Sequence, residues 1–169
     1  MSELKLNRKS PRLKKYDYSI PGYYFVTICT LGMKEIFGEI KNGKMNLNKL
    51  GKIVFTNWEN ISTLHHGVEL DEFIIMPNHI HGIIIVVDAK FASTTNRSKM
   101  TLSKLIQQFK RACTIEISST SRLINDVWQR SFYDRIIRNE DELYQIRKYI
   151  QQNSLKWELE KESPENIDL

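Results

Sequence analysis

The chain has little cysteine and no long apolar run. Its two cysteines, Cys29 and Cys113, lie far apart, one in a strand-like and one in a helix-like apolar pattern. This argues against paired-cysteine metal clusters, dithiol redox motifs and a disulfide framework, and fits buried thiols in a reducing compartment. Nowhere do apolar residues run for the roughly 18 positions of a membrane span, and the stretch from Met1 to Lys15 is basic and polar, unlike a signal peptide. A cytoplasmic protein with no membrane role is expected. Internal repeats and low-complexity tracts are also missing. A length of 169 residues suits one domain with a real core and is short for two. We expect a single domain over 1–157 that includes a basic arm at 1–20, followed by a flexible acidic tail at 158–169.

The net charge of +5 is unevenly distributed. Lys5, Arg8, Lys9, Arg12, Lys14 and Lys15 face only Glu3 near the N-terminus, and Arg97, Lys99, Lys104, Lys110 and Arg111 run without an intervening acid. Such segments suit a phosphate backbone, where Lys and Arg contacts release counterions. A solvated surface has the same composition.

Periodicity gives the order of elements. Tyr23 to Leu31 is aromatic and β-branched and reads as a strand entered through Pro21-Gly22. Asn42-Gly43 joins Phe37–Lys41 to Lys44–Leu47 as a tight hairpin. Leu50, Ile53, Val54, Trp58 and Ile61 recur at helical spacing between Asn48 and Thr63, as do Leu102, Leu105, Ile106 and Phe109 between Thr101 and Ile117. Val68–Met76 and His79–Val87 are strands joined by Pro77-Asn78; the second is apolar on both faces and belongs at the centre of a sheet. Ala92 to Ser98 reads as a loop, and a short extended piece falls at Asp134 to Ile137. Asn139 and Glu142 form a capping box for a last helix running to about Gln152. An α+β domain, an antiparallel sheet with helices packed on it, is the economical architecture.

His79-Ile80-His81 opens the most apolar strand. Residues two apart share a face of a strand, so both imidazoles aim at one point. That point could hold a divalent metal, the alternative being a surface or hydrogen-bonded pair, and a metal centre needs about one more protein ligand. His65 and His66, adjacent in a loop, diverge and are assigned no ligand role. On the last helix Tyr149 and Asn153 are one turn apart on one face. A tyrosine that reaches a metal held by two histidines, with an amide oxygen completing the set, is a kit for phosphoryl transfer; Tyr133 and Tyr144 compete on the same terms.

Five motifs stand in a telling order: Tyr16-Asp17-Tyr18-Ser19, Tyr24-Phe25-Val26-Thr27-Ile28, Met76-Pro77-Asn78-His79-Ile80-His81-Gly82, Trp128-Gln129-Arg130 and Tyr149-Ile150-Gln151-Gln152-Asn153. From about Arg8 to Trp157 the chain resembles the REP-associated tyrosine transposases, single-tyrosine HUH enzymes related to those of small bacterial insertion sequences. The resemblance implies a ferredoxin-like or RRM-like sheet. It implies that His79 and His81 ligate Mg²⁺ or Mn²⁺, with Asn153 as third ligand and Gln152 or Glu72 as competitors. Tyr149 would attack a single-stranded DNA phosphodiester, leaving a 5′-phosphotyrosine and a free 3′-hydroxyl. Partners implied are imperfect hairpins in single-stranded DNA, gripped by Arg8, Arg12, Lys14, Lys15, Lys104, Lys110, Arg111 and Arg130, by a protein that is a monomer or a homodimer. A non-catalytic or domesticated hairpin-binding protein is the alternative. One position departs from the family: Ser154 stands where proline is usual, so helix length is open.

Overall fold

The computed structural model describes residues 17, 19–87, 101–121 and 126–162. Its centre is a four-stranded antiparallel sheet in the order β4-β5-β1-β6, built from β1 (Gly22–Cys29), β4 (Val68–Ile75), β5 (His79–Val86) and β6 (Tyr133–Ile137). The hairpin β2 (Gly38–Lys41) and β3 (Lys44–Leu47) stands apart from it. With α1 (Lys49–Leu64), α2 (Leu102–Thr120) and α3 (Glu140–Glu162), the order is βαββαβ plus the hairpin and a final helix. This is the ferredoxin-like arrangement, in which β5 splits the parallel pair β1 and β4.

Two-residue periodicity in β5 separates the layers. Ile80, Ile84 and Val86 join Val26, Ile28, Trp58, Leu105, Ile106 and Phe109 in the core beneath α1 and α2. Ile83 points the other way and packs with Ile137, Leu143, Ile146 and Ile150 beneath α3. The strand expected at the centre is central, and its histidines fall on the α3 face. Gly82, between the layers' side chains, leaves room for the Trp58 ring: a β-carbon there would lie 2.3 Å from Trp58 Cζ2.

Caps behave as composition dictates. Asn48 accepts from the N–H groups of Leu50 and Gly51, Thr101 from Lys104, and Asn139 from Glu142. Glu142 reaches back to the Arg138 N–H. The Asn42-Gly43 turn has positive φ at both residues (53° and 69°), the hairpin geometry that this dipeptide permits. Cys29 and Cys113 are buried, unpaired thiols. Among the described residues, no helix is long and apolar enough to cross a membrane.

Helix α3 differs from its expected length. It continues past Gln152 to Glu162, so residues 158–162, assigned to the tail, are helical. Ser154 keeps the backbone N–H that proline would remove, and its hydroxyl donates to Gly43 O at 2.6 Å. Glu158 accepts from the Gly43 N–H. The hairpin turn thus gives the last turns of α3 a docking partner.

Candidate active site

The histidines are held by their neighbours on the sheet. Pro77 O accepts from the N–H groups of Ile36 and Phe37, and Asn78 O from that of Thr30, which fixes the turn before β5. Asn78 Nδ2 donates to Met33 O, so its Oδ1 faces His79 Nδ1 at 2.6 Å. His79 Nδ1 is therefore the protonated nitrogen, and Nε2 carries the lone pair. Thr27, opposite His81 in the β1–β5 register, puts its hydroxyl 2.8 Å from His81 Nδ1. Phe25 stacks on the His81 ring at 5.4 Å between centroids.

The two Nε2 atoms converge to 3.0 Å. A separation that short requires one proton shared between them or a cation accepted by both, and the Thr27 hydroxyl can donate or accept, so it permits either tautomer of His81. Both rings are buried, and burial disfavours their charged form: the His79 pKa is pushed down to about 4, and His81, with His79 adding to the effect of burial, to about 3. Neutral imidazoles with hydrogen-bonded Nδ1 atoms and converging Nε2 atoms can offer a divalent metal two donors when neither Nε2 carries a proton.

Helix α3 brings the remaining groups. The Tyr149 hydroxyl lies 3.3 Å from His81 Nε2, and its ring meets those of His81 and Phe25 edge-on. Asn153 is buried and lines a cavity of about 190 Å³ with His79, Tyr149, Lys156, Trp157 and Glu160. Among the described residues no three His, Cys, Asp or Glu side chains cluster as a metal site; Asn153 is the amide that shares the cavity with His79. Of its competitors, Gln152 is exposed and is not among the residues lining this cavity, and Glu72 is engaged by Gln151 at 3.1 Å. Tyr133, Tyr144 and Tyr149 are all exposed; among the described tyrosines it is Tyr149 that is hydrogen-bonded to the pair.

The basic residues divide. Arg8, Arg12, Lys14 and Lys15, like the loop expected at Ala92 to Ser98, lie outside the described residues. Lys104 and Arg111 are carried by α2, in the layer opposite the histidines, and Arg130 is exposed. Lys110 donates to the carbonyls of Gln129 and Ser131, both at 2.9 Å, tying the chain before β6 to α2. Trp128 donates to Lys110 O and packs between Phe37 and Phe109. Sequence reasoning read Asn78 as a turn residue and Phe25 and Thr27 as members of a strand motif, and gave none of these, nor Trp157 or Lys156, a part in the site. Phe25 and Thr27 alternate on one face of β1, a signal that becomes readable only once the register with β5 is known.

The sheet order and helix placement recur in solved structures. A REP-associated tyrosine transposase bound to a REP hairpin has a similar structure, with TM-score 0.61 and 16% identity over 86% of this chain and 73% of that one. A protein from Deinococcus radiodurans R1 designated a candidate transposase follows, with TM-score 0.50 and 16% identity over 83% of this chain and 96% of that one. The fold is that of the tyrosine transposases. By sequence, the chain belongs to the family of a Haemophilus influenzae protein of uncharacterised function, to which it is 40% identical over 164 residues, 90% of this chain and 91% of that one. No protein-family model matches the sequence.

Proposed function

We propose that the chain is a metal-dependent single-strand DNA transposase and endonuclease that cleaves and rejoins hairpin-containing DNA through a 5′-phosphotyrosine intermediate. The observation that carries this reading is the Tyr149 hydroxyl, 3.3 Å from His81 Nε2, beside a histidine pair whose Nε2 atoms lie 3.0 Å apart. The Tyr149 oxygen bonds to phosphorus as the bond to the 3′ oxygen breaks; the phenol gives up a proton and the 3′ oxygen gains one. In the reverse step a 3′-hydroxyl attacks the phosphotyrosine and releases Tyr149, so bond energy is conserved. His79, His81 and Asn153 would hold Mg²⁺ or Mn²⁺, which when bound polarises a non-bridging phosphate oxygen. Thr27 and Asn78 orient the imidazoles.

Single-stranded DNA with imperfect hairpins is the partner, a reading supported by the hairpin-bound structural neighbour. Lys104, Arg111 and Arg130, with the residues of the basic arm, are the proposed phosphate contacts, whereas Lys110 serves the fold through its carbonyl contacts. The tyrosine and both histidines meet within one chain, which supports a reading in which a monomer carries the chemistry; a homodimer is the alternative.

The test is a labelled hairpin oligonucleotide incubated with the protein and Mn²⁺, then run on a denaturing gel. A covalent protein–DNA species is expected, absent from Tyr149→Phe and suppressed by EDTA and by His79→Ala. An adduct that persists in Tyr149→Phe sinks the nucleophile; cleavage without an adduct points to water as nucleophile; binding without cleavage points to a hairpin-binding module.

A further inference from the structure

Helix α3 carries two stripes of identical spacing. Tyr149, Asn153, Lys156 and Glu160 line the cavity. Arg147, Gln151, Ser154 and Glu158 repeat those intervals on the other flank, and the apolar Ile146 and Ile150 lie between the stripes, facing the sheet. Every member of the second stripe is bonded elsewhere in the chain. Arg147 grips Asp71 with two parallel bonds, Nε to Oδ1 at 2.9 Å and Nη2 to Oδ2 at 2.5 Å. Gln151 donates to Glu72, and Ser154 and Glu158 hold Gly43.

A bulge makes the first two contacts possible. Pairing in β4 jumps from Leu70↔Ile84 to Phe73↔Gly82, so Asp71 and Glu72 together stand opposite Ile83. Regular alternation would send one of them to each face; the extra residue lets both reach α3.

We infer that Asp71, acting through Arg147, is a positioning residue for the Tyr149 nucleophile: the bidentate pair sets the roll of α3 about its axis. The inference rests on the reading of Tyr149 given above. The isoleucine contacts are non-directional, whereas an Arg–carboxylate fork has a defined geometry. With side chains reaching about 6 Å from the helix axis, a roll of about 10° moves the tyrosine tip by about 1 Å. A misplacement of that size costs an in-line reaction about a hundredfold in rate.

The experiment compares Asp71→Asn and Arg147→Lys with Ile146→Val, a sheet-facing control, at fixed pH with hairpin DNA and Mn²⁺. Thermal midpoints are recorded for all three, together with the ¹⁵N shift of His81 Nε2 in the metal-free proteins. The first two variants are expected to lose tenfold or more in the rate constant of adduct formation with hairpin affinity unchanged, and to move the His81 shift toward its value in Tyr149→Phe. Ile146→Val is expected to stay within twofold of wild type on rate. Wild-type rates in Asp71→Asn and Arg147→Lys, an equal loss in Ile146→Val, or an unmoved His81 shift overturn the inference. Absence of the adduct from wild type overturns the nucleophile reading instead, and the His81 shift then still decides whether Asp71 places Tyr149.

Discussion

The hydroxyl of Tyr149 and Nε2 of His81 lie 3.3 Å apart within one chain, although 68 positions separate them in sequence. This contact supports a cis arrangement, which a mixing experiment tests. Mixing Tyr149→Phe with His81→Ala should therefore restore no adduct formation, because each inactive chain lacks a group its partner does not supply. Recovery of the adduct in the mixture would show that α3 exchanges between subunits.

Thr27→Val keeps the shape of the side chain and removes the hydroxyl beside His81 Nδ1. Orienting partners of this kind are worth about 10- to 100-fold in metal affinity. Calorimetric titration with Mn²⁺ should show a loss in that range with little change in thermal midpoint, and unchanged affinity would remove Thr27 from the site.

Ser154→Pro would install the residue usual in the resembling family. Here position 154 is inside a continuing helix and its hydroxyl serves Gly43, so the change should cost about 3 kcal/mol. Urea unfolding reads this directly; a neutral effect would mean that the helix beyond 154 contributes nothing.

Asp71 gives a pH signature. The Arg147 hydrogen bonds, aided by the backbone N–H of Glu72 and by the Arg147 charge, outweigh burial and hold its carboxyl below the ordinary 3.8. The folded state then binds the proton less readily than the unfolded state, so the pair's contribution is full above 3.8 and disappears as pH falls through the depressed folded value. The midpoint difference between wild type and Asp71→Asn should be largest near neutrality and close in acid. A gap independent of pH would assign the effect to packing.

Gly82→Ala puts a β-carbon 2.3 Å from the Trp58 ring. In a core this tightly filled, a loss of about 1–3 kcal/mol is expected, measurable as a lower urea midpoint. Tolerance of alanine would show that Trp58 can withdraw from β5.

The sequence was most readable where chemistry is local. Asn48, Thr101 and Asn139 cap helices because a short polar side chain can satisfy the N–H groups two or three residues on. Asn42-Gly43 turns because both positions tolerate positive φ. Alternation in β5 told which isoleucines share a face with the histidines, and a four-residue interval put Asn153 beside Tyr149. What escaped was every contact that depends on register or on a break in it. Phe25 and Thr27 reach His81 only through the β1–β5 pairing, Asp71 and Glu72 reach α3 only through the bulge in β4, and Ser154 finds Gly43 more than a hundred positions away.

The amino-acid pattern by itself determined the elements, the two faces of β5 and the convergence of its histidines, since periods of 2 and 3.6 residues fix which side chains are neighbours within a strand or helix. The tertiary structure alone decided that Tyr149 meets His81 in the same chain, that Lys110 grips carbonyls, and that α3 runs on to Glu162. Those outcomes depend on how separate elements dock, and docking is set by packing and by hydrogen bonds between residues that no short-range pattern links.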